Sequence, residues 1–320
     1  MSLDNDRSSV CLLVFRSLLF TGMMTFLFSE CHAQTTAYGL DSAEHLGTTA
    51  KPYAPEFFAK RDRLTRFGMA ISNDGRECYY AVALNDNGRF REEIRFTIRK
   101  DDGRWTEPKP LLPTEKKYKY VDPHFSENGK RLFFIYTKPI DDKNTSKRQF
   151  FDIWYVERTT AGWSVPVNLG APVSTSDANE YYVSLTSTQK MFFGSNRSSL
   201  NNFDLYSATL GKDGKYEEPQ PLAGKVNTNR YEADVFVAPD ESYLIFSSSG
   251  REDGLGQGDL YVSFKGEDGD WGAGINLGKR VNSNRQEFAP SISADQKALF
   301  FSSGGVIHWV STSVIEELRP

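Results

Sequence analysis

Cysteine is nearly absent. Two of the three, Cys11 and Cys31, precede Gln34, and only Cys78 follows it. A lone thiol forms no internal disulfide, so whatever folds here is held by packing. Beside Tyr79 and Tyr80, Cys78 reads as a small buried hydrophobe rather than a nucleophile. An excess of basic charge is also missing. Lys and Arg number 38 against 42 Asp and Glu, a formal net charge of −4, which leaves no electrostatic footprint for nucleic acid. No stretch after Ala33 carries a convincing helical period, and no H-E-x-x-H, G-x-S-x-G, P-loop or Cys/His pattern occurs. Histidine beyond Ala33 is limited to His45, His124 and His308. From such a set no cofactor, no metal site and no catalytic residue is expected.

What the chain does have is aromatic residues, at 13% with 23 Phe and 15 Tyr, a composition that leans toward strands. Its N-terminus has the order of a secretory leader. Arg7 and Arg16 precede the apolar run 17–28, and Cys31-His32-Ala33 places small residues before a cut at Gln34. Residues 1–33 are therefore expected to be a signal peptide and 34–320 a single domain. A retained membrane anchor is the alternative, although the run is short of the ~20 residues a span needs. Glu30 stands before Cys31, where a lipoprotein signal wants a small residue.

The strongest signal is self-similarity at a fixed period. Glu180-Tyr-Tyr-Val-Ser-Leu-Thr186, Glu232-Ala-Asp-Val-Phe-Val-Ala238 and Glu287-Phe-Ala-Pro-Ser-Ile-Ser293 are copies of one another. Each is followed by a turn and an aromatic strand, such as Lys190-Met-Phe-Phe193 or Tyr243-Leu-Ile-Phe246. A third strand starts at Asp152, Asp204 or Asp259, and a fourth is marked by Trp105, Trp163, Tyr216 or Trp271. Those four aromatics recur at a nearly constant interval, which sets the length of the unit. Turn clusters such as Asn73-Asp-Gly75 and Asp213-Gly214 supply the positive φ of tight hairpins. Four-stranded units in tandem bury their faces by radial packing, so the expected fold is an all-β propeller. Units are placed near 67–112, 121–170, 180–224, 232–278 and 287–313. The last lacks its fourth strand, and His45-Leu-Gly47 supplies one, so residues 45–50 are expected to close the ring without an exposed edge. The stretch from Leu46 to Pro320 divides evenly into five units of that length. Five blades is the expectation, with a degenerate sixth as the alternative.

These residues resemble the WD40-like repeats of TolB-type bacterial propellers. The resemblance rests on Glu287, Pro290, Ser293, Asp295 and Leu299-Phe-Phe-Ser302, on Pro123, Ser126, Gly129 and Leu132-Phe-Phe134, and on Pro239-Asp240. It implies the fold over most of the chain and says little about function. Propellers of that family are often joined to a peptidoglycan-binding, tetratricopeptide or peptidase domain, and none is recognised in this sequence.

In such a meander the second-to-third loops and the blade-to-blade connections share one face. The loops that vary lie there: 137–149, 195–202 and 247–258. Long variable loops on a rigid scaffold are where binding usually resides. The same face collects Glu180, Glu232 and Glu287, with Arg230, Arg285, Arg197 and Arg251 nearby, as a candidate ring for a polar ligand or peptide terminus. The competing reading is structural. A residue that the blade itself needs recurs in every blade, whereas a site is usually asymmetric. On that reading each Glu satisfies backbone N–H groups or pairs with a neighbouring blade's Arg. Asp152, Asp204 and Asp259 recur likewise and read as loop-fixing groups rather than metal ligands. Asp253-Gly254 lacks the alternating ligands of a calcium loop, and Asp141-Asp142 reads as a solvated loop. The expected function is an exported, non-enzymatic propeller. It presents its loop-rich face to a protein, peptide or glycan of the cell envelope or the extracellular space. Its location is periplasmic, outer-membrane-associated or secreted, and it contacts membrane only if the leader is retained or Cys31 is lipidated. The rival is a carbohydrate-active hydrolase or lyase with paired carboxylates at the channel mouth.

Overall fold

A computed structural model describes residues 46–53, 58, 65–86, 89–114, 117–139 and 150–320, all within one compact unit spanning 36–320. The expected leader, His45 and the Asp141-Asp142 pair lie outside the described residues. Five antiparallel sheets make up the unit. Their first strands are Thr65–Ile71, Tyr120–Phe125, Glu180–Leu185, Tyr231–Val237 and Glu287–Ile292. Each of these touches the next, and the fifth touches the first, so the first strands line a closed ring. The chain is a five-bladed β-propeller.

The second strands are Glu77–Asp86, Arg131–Tyr136, Met191–Ser195, Tyr243–Ser249 and Ala298–Ser303. The runs Leu132-Phe-Phe-Ile-Tyr136 and Met191-Phe-Phe193 are apolar at consecutive positions because both faces of a blade are buried. Alternate residues point to opposite neighbours. Phe133 and Ile135 join the cluster shared with blade 3, whereas Leu132, Phe134 and Tyr136 join the cluster shared with blade 1. The described core falls into five such clusters, one per blade interface. Burying a Phe or Ile side chain in one of them contributes about 1.5–3 kcal/mol.

The ring closes through the N-terminal strand Lys51–Pro52, which pairs with Val306–Ser311 as Lys51↔Trp309 and Pro52↔His308. Closure thus falls just beyond the expected 45–50 segment. That segment still takes part: Ser311 N–H donates to Gly47 O at 3.1 Å, and Ala50 N–H donates to Arg280 O at 2.7 Å. The register is set by Tyr53, buried with its ring 5.0 Å from Phe300 and 5.7 Å from Trp309. Proline is tolerated in this strand because it lies at a sheet edge. Blade 1 departs from the repeat. Its second and third strands, Glu77–Asp86 and Arg89–Ile98, are longer than the second and third strands of the other blades. Pairs from Leu84↔Arg91 to Asp86↔Arg89 extend past the last pair with the first strand, Thr65↔Ala83. After the last strand, Ser313–Glu316 forms one helical turn that buries Val314 and Ile315. Among the described residues no helix is long and apolar enough to cross a membrane.

Candidate functional site

The repeated glutamates all lie inside their blades. Glu180, Glu232 and Glu287 are each 0% exposed. Glu232 accepts from Thr228 N–H at 3.1 Å, Thr228 Oγ1 at 2.6 Å, Ser248 Oγ at 3.4 Å and Arg251 Nη2 at 2.8 Å. Glu180 has the same set in Thr175 N–H, Ser195 Oγ and Arg197 Nη2 at 3.2–3.3 Å. Glu287 accepts from Ser283 N–H at 3.1 Å and from the Ser283 and Ser303 hydroxyls, both at 2.6 Å, and forms no ion pair among the described residues. Arg197 and Arg251 are supplied by the second-to-third loop of the same blade as their glutamate, not by a neighbour. Each guanidinium also donates to a backbone carbonyl of the incoming connection, Val173 O or Val226 O. Each lies over two aromatic rings, Phe193 and Tyr206 or Phe246 and Tyr261, at 4.8–5.2 Å. Burial pushes the Glu180 carboxyl up to about 7 against the pull of Arg197, and raises Glu232 likewise. Arg230 and Arg285 are exposed in the connections, and their backbone N–H groups donate to Thr228 and Ser283 hydroxyls at 3.1 Å.

The third-strand aspartates also act within the blades. Asp204 accepts from Ser198 Oγ at 2.9 Å, and Asp259 from Asn276 Nδ2 at 3.0 Å and from Leu255 N–H. Asp152 is pushed up to about 7, by burial first and then by the nearby Glu180 charge. Among the described residues no group of three or more His, Cys, Asp or Glu is placed to hold a metal ion.

A different set of residues faces the channel. In every first strand the pairing register shifts once, and one residue there takes a left-handed conformation: Gly68, Asp122, Tyr182, Asp234 and Ala289, with φ between 48° and 56°. The bulge recurs five times, but the residue occupying it does not. Gly68 and Ala289 leave room that the long side chains fill. A Cβ on Gly68 would lie 2.7 Å from Asp122 Oδ1, so the blade 2 carboxyl rests against blade 1. Asp234 accepts from Ser247 Oγ at 3.0 Å and from the Ala289 N–H of blade 5. Tyr182 reaches from blade 3 to blade 5, donating to Pro290 O at 2.9 Å, and so bars the channel.

Both aspartates are raised, and Asp122 lies in the field of Asp234. Burial and then the charges of Asp234 and Glu92 hold the Asp122 carboxyl well above the usual carboxylate range. Asp234 is pushed up to about 6, burial outweighing its two hydrogen bonds. Both side chains retain a little open surface, but it faces the narrow channel rather than bulk solvent, so desolvation dominates. Both carboxyls thus resist ionisation, burial being the first cause in each.

Above this level, toward the loop-rich face, aromatic rings line the mouth. Tyr181 stacks on Phe203 at 4.8 Å and 3°, Phe151 meets Tyr181 at 5.3 Å, and Phe203 meets Tyr231 at 5.2 Å. Tyr181 and Tyr231 lie in the field of Asp234 and Asp122, which together with burial raises both hydroxyls, Tyr181 to about 12. On the opposite face Tyr182, His124, Phe125, Phe236 and Ile292 line a cavity of about 110 Å³. Burial lowers His124 to about 4, so its imidazole is neutral there.

Sequence reasoning missed Asp122, Asp234 and the tyrosines because it searched for what recurs. The signal was present two positions after the repeated glutamates, in the column Gly68, Asp122, Tyr182, Asp234, Ala289, which varies within a constant frame.

The fold and channel define a closed five-bladed propeller with an asymmetric, acidic, aromatic-lined centre. No protein-family model matches the chain, and no curated protein does. Several solved structures resemble it. TolB from Acinetobacter baumannii shares 16% identity over 78% of this chain and 55% of that one, with a TM-score of 0.47. An α-L-arabinofuranosidase from Podospora anserina shares 12% over 83% and 98%, with a TM-score of 0.46. An arabinanase from Bacillus subtilis shares 14% over 76% and 91%, at 0.45. The matched region is thus little more than half of the TolB chain. Likeness at this level carries no statement about function, and the propeller architecture is read from the chain's own five sheets.

Proposed function

We propose that this protein is an exported, non-enzymatic binding propeller that engages a protein, peptide or glycan of the cell envelope at its loop-rich face, with the channel mouth as the recognition centre. One observation carries this reading. The repeated Glu180, Glu232 and Glu287, with Arg197 and Arg251, are engaged inside the blades, and the polar groups left facing the channel come from different blades and break the repeat. A second feature favours a macromolecular partner. Of the seven large apolar side chains exposed among the described residues, Phe90, Leu200, Leu255 and Val306 lie in or beside second-to-third loops, whereas Ile98, Val165 and Val167 lie away from them. The apolar run 17–28 supports export, and N-terminal sequencing of the protein from a periplasmic extract is expected to begin at Gln34.

The test is a thermal-shift screen of the full chain against peptides and glycans. A ligand at 100 times its Kd stabilises by about 2.7 kcal/mol. The reading expects a shift that disappears in Asp234→Asn and persists in Asp268→Asn, an exposed turn position. Absence of any shift, or one insensitive to Asp234, overturns it. A carbohydrate hydrolase is supported by the presence of two buried, raised carboxyls, Asp122 and Asp234, at the channel. Release of reducing sugar from a polysaccharide panel, lost in Asp122→Asn, would decide for that second reading.

A further inference from the structure

We infer that the channel mouth takes an organic cation, an ammonium or guanidinium group, between its aromatic rings and the Asp122–Asp234 pair. This rests on the reading of the channel mouth as a binding site and adds the chemical class of what enters it.

Two carboxyls converge on the gap between blades 1 and 5, Asp122 against Gly68 and Asp234 on the Ala289 N–H. The groups acting on their charge are other carboxyls, desolvation and neutral hydrogen-bond donors; no Lys or Arg is among them. That contrasts with Glu180 and Glu232, each of which has its own arginine. Buried carboxylates are tolerated when a cation meets them, and neither Asp122 nor Asp234 forms an ion pair among the described residues, Lys119 being paired with Glu92 at 3.0 Å. Asp122 makes no hydrogen bond among the described residues, so its oxygens are uncommitted.

The surroundings select the kind of cation. A hard metal ion wants six to eight oxygen ligands, and the described residues bring together no cluster of three acidic, His or Cys side chains. The walls above the carboxyls are instead rings: Phe151, Tyr181, Phe203 and Tyr231 form a contiguous row spanning blades 2 to 4. Aromatic faces within about 6 Å attract ammonium and guanidinium groups, the more so when water is excluded. The protein already uses that chemistry internally, with Arg197 and Arg251 each held over two rings at 4.8–5.2 Å. Tyr182, hydrogen-bonded across to Pro290, forms the floor that stops the cation beside the carboxyls. A neutral sugar would satisfy the rings but leave the carboxyls unmatched.

The test is calorimetric titration of the full chain with arginine amide, with the tripeptide Gly-Arg-Gly amide, and with citrulline amide as the uncharged isostere. Both arginine probes are expected to bind, and citrulline amide to bind about thirtyfold more weakly or not at all. Binding of the tripeptide alone would identify a peptide as the source of the cation; equal binding of arginine amide would show that a free small cation suffices. Asp234→Asn is expected to weaken binding by a similar factor, and Asp122→Asn to weaken it as well. Both variants are expected to keep the wild-type circular dichroism spectrum. Equal binding of citrulline and arginine amides, or unchanged binding in both variants, overturns the inference, as does binding of calcium ion without binding of either arginine probe. If glycans shift the melting temperature while no arginine probe binds, the inference fails and the binding-propeller reading stands; if neither binds, both fail.

Discussion

Replacing Asp234 by Asn is expected to make the protein more stable, and the gain is calculable. The Asp234 carboxyl is pushed up to about 6 by burial, roughly two pH units above a free aspartate near 3.9. At about 1.4 kcal/mol per pH unit, keeping it ionised in the folded state costs about 3 kcal/mol above pH 7. A carboxyl whose folded pKa is raised binds its proton more tightly when folded. Its stabilising effect is therefore complete below about pH 4 and is lost as pH rises through 6. Asparagine removes that penalty and keeps an oxygen to accept from Ser247 Oγ and the Ala289 N–H. It also tolerates the left-handed φ of 49°. Since Asp234 retains some open surface, the expected gain is about 1–3 kcal/mol at pH 7.5, shrinking toward zero at pH 4. For a domain of this size that is roughly 2–5 °C in Tm. Urea and thermal unfolding of wild type and Asp234→Asn at pH 4, 6 and 7.5 measure it. A variant that is no more stable at pH 7.5, or whose gain does not fall with pH, would refute the reasoning. Residues that cost stability are the ones that function retains, which ties this measurement to the channel.

Other perturbations test the division between blade and channel. Arg251→Met strips the buried Glu232 of its cation and should cost about 3–5 kcal/mol at pH 7, part of it recovered by adding Glu232→Gln, as read from urea midpoints. Asn282 clasps blade 4 to the next connection by pairing with both Leu260 N–H and Leu260 O at 2.9 Å; Asn282→Ala leaves the buried Leu260 N–H unmet, while Leu260 O keeps the Leu277 N–H at 3.0 Å, and should cost about 1–3 kcal/mol. Gly68→Ala places a methyl against Asp122 at a φ of 48°, so it should destabilise by about 1–3 kcal/mol and weaken arginine amide binding in the same titration. Phe90→Ser, at an exposed strand end, and Leu200→Ser, in an exposed loop, should leave unfolding within about 0.5 kcal/mol of wild type while weakening binding of any protein or peptide partner found in the screen.

Much of the architecture was legible because it repeats. Runs such as Met191-Phe-Phe193 and Tyr243-Leu-Ile-Phe246 declare strands buried on both faces, and the regular spacing of Trp105, Trp163, Tyr216 and Trp271 sets the unit. The missing fourth strand of the last unit required an N-terminal strand to close the ring, although its position was less clear. His45-Leu-Gly47 copies the end of other units, but the pairing falls at Lys51–Pro52. There the burial of Tyr53 against Phe300 and Trp309 fixes the register, a long-range contact that leaves no local trace.

The candidate site was harder to read, for a reason rooted in the fold. Repetition marks Glu180, Glu232 and Glu287 as important without saying for what. Only the hydrogen bonds to Thr228, Ser248 and Arg251 and their counterparts show that these carboxylates face into the blade. The sequence alone determined the strands and their radial packing, because burial on two faces imposes a local pattern that recurs once per blade, and left a sixth blade open. Tertiary structure decided which side chains meet at the axis. Asp122 and Asp234 belong to blades 2 and 4, with all of blade 3 between them in the chain, and ring closure sets their residues beside Gly68 and Ala289. Proximity of that kind follows from the curvature of five packed sheets and is written in no single repeat.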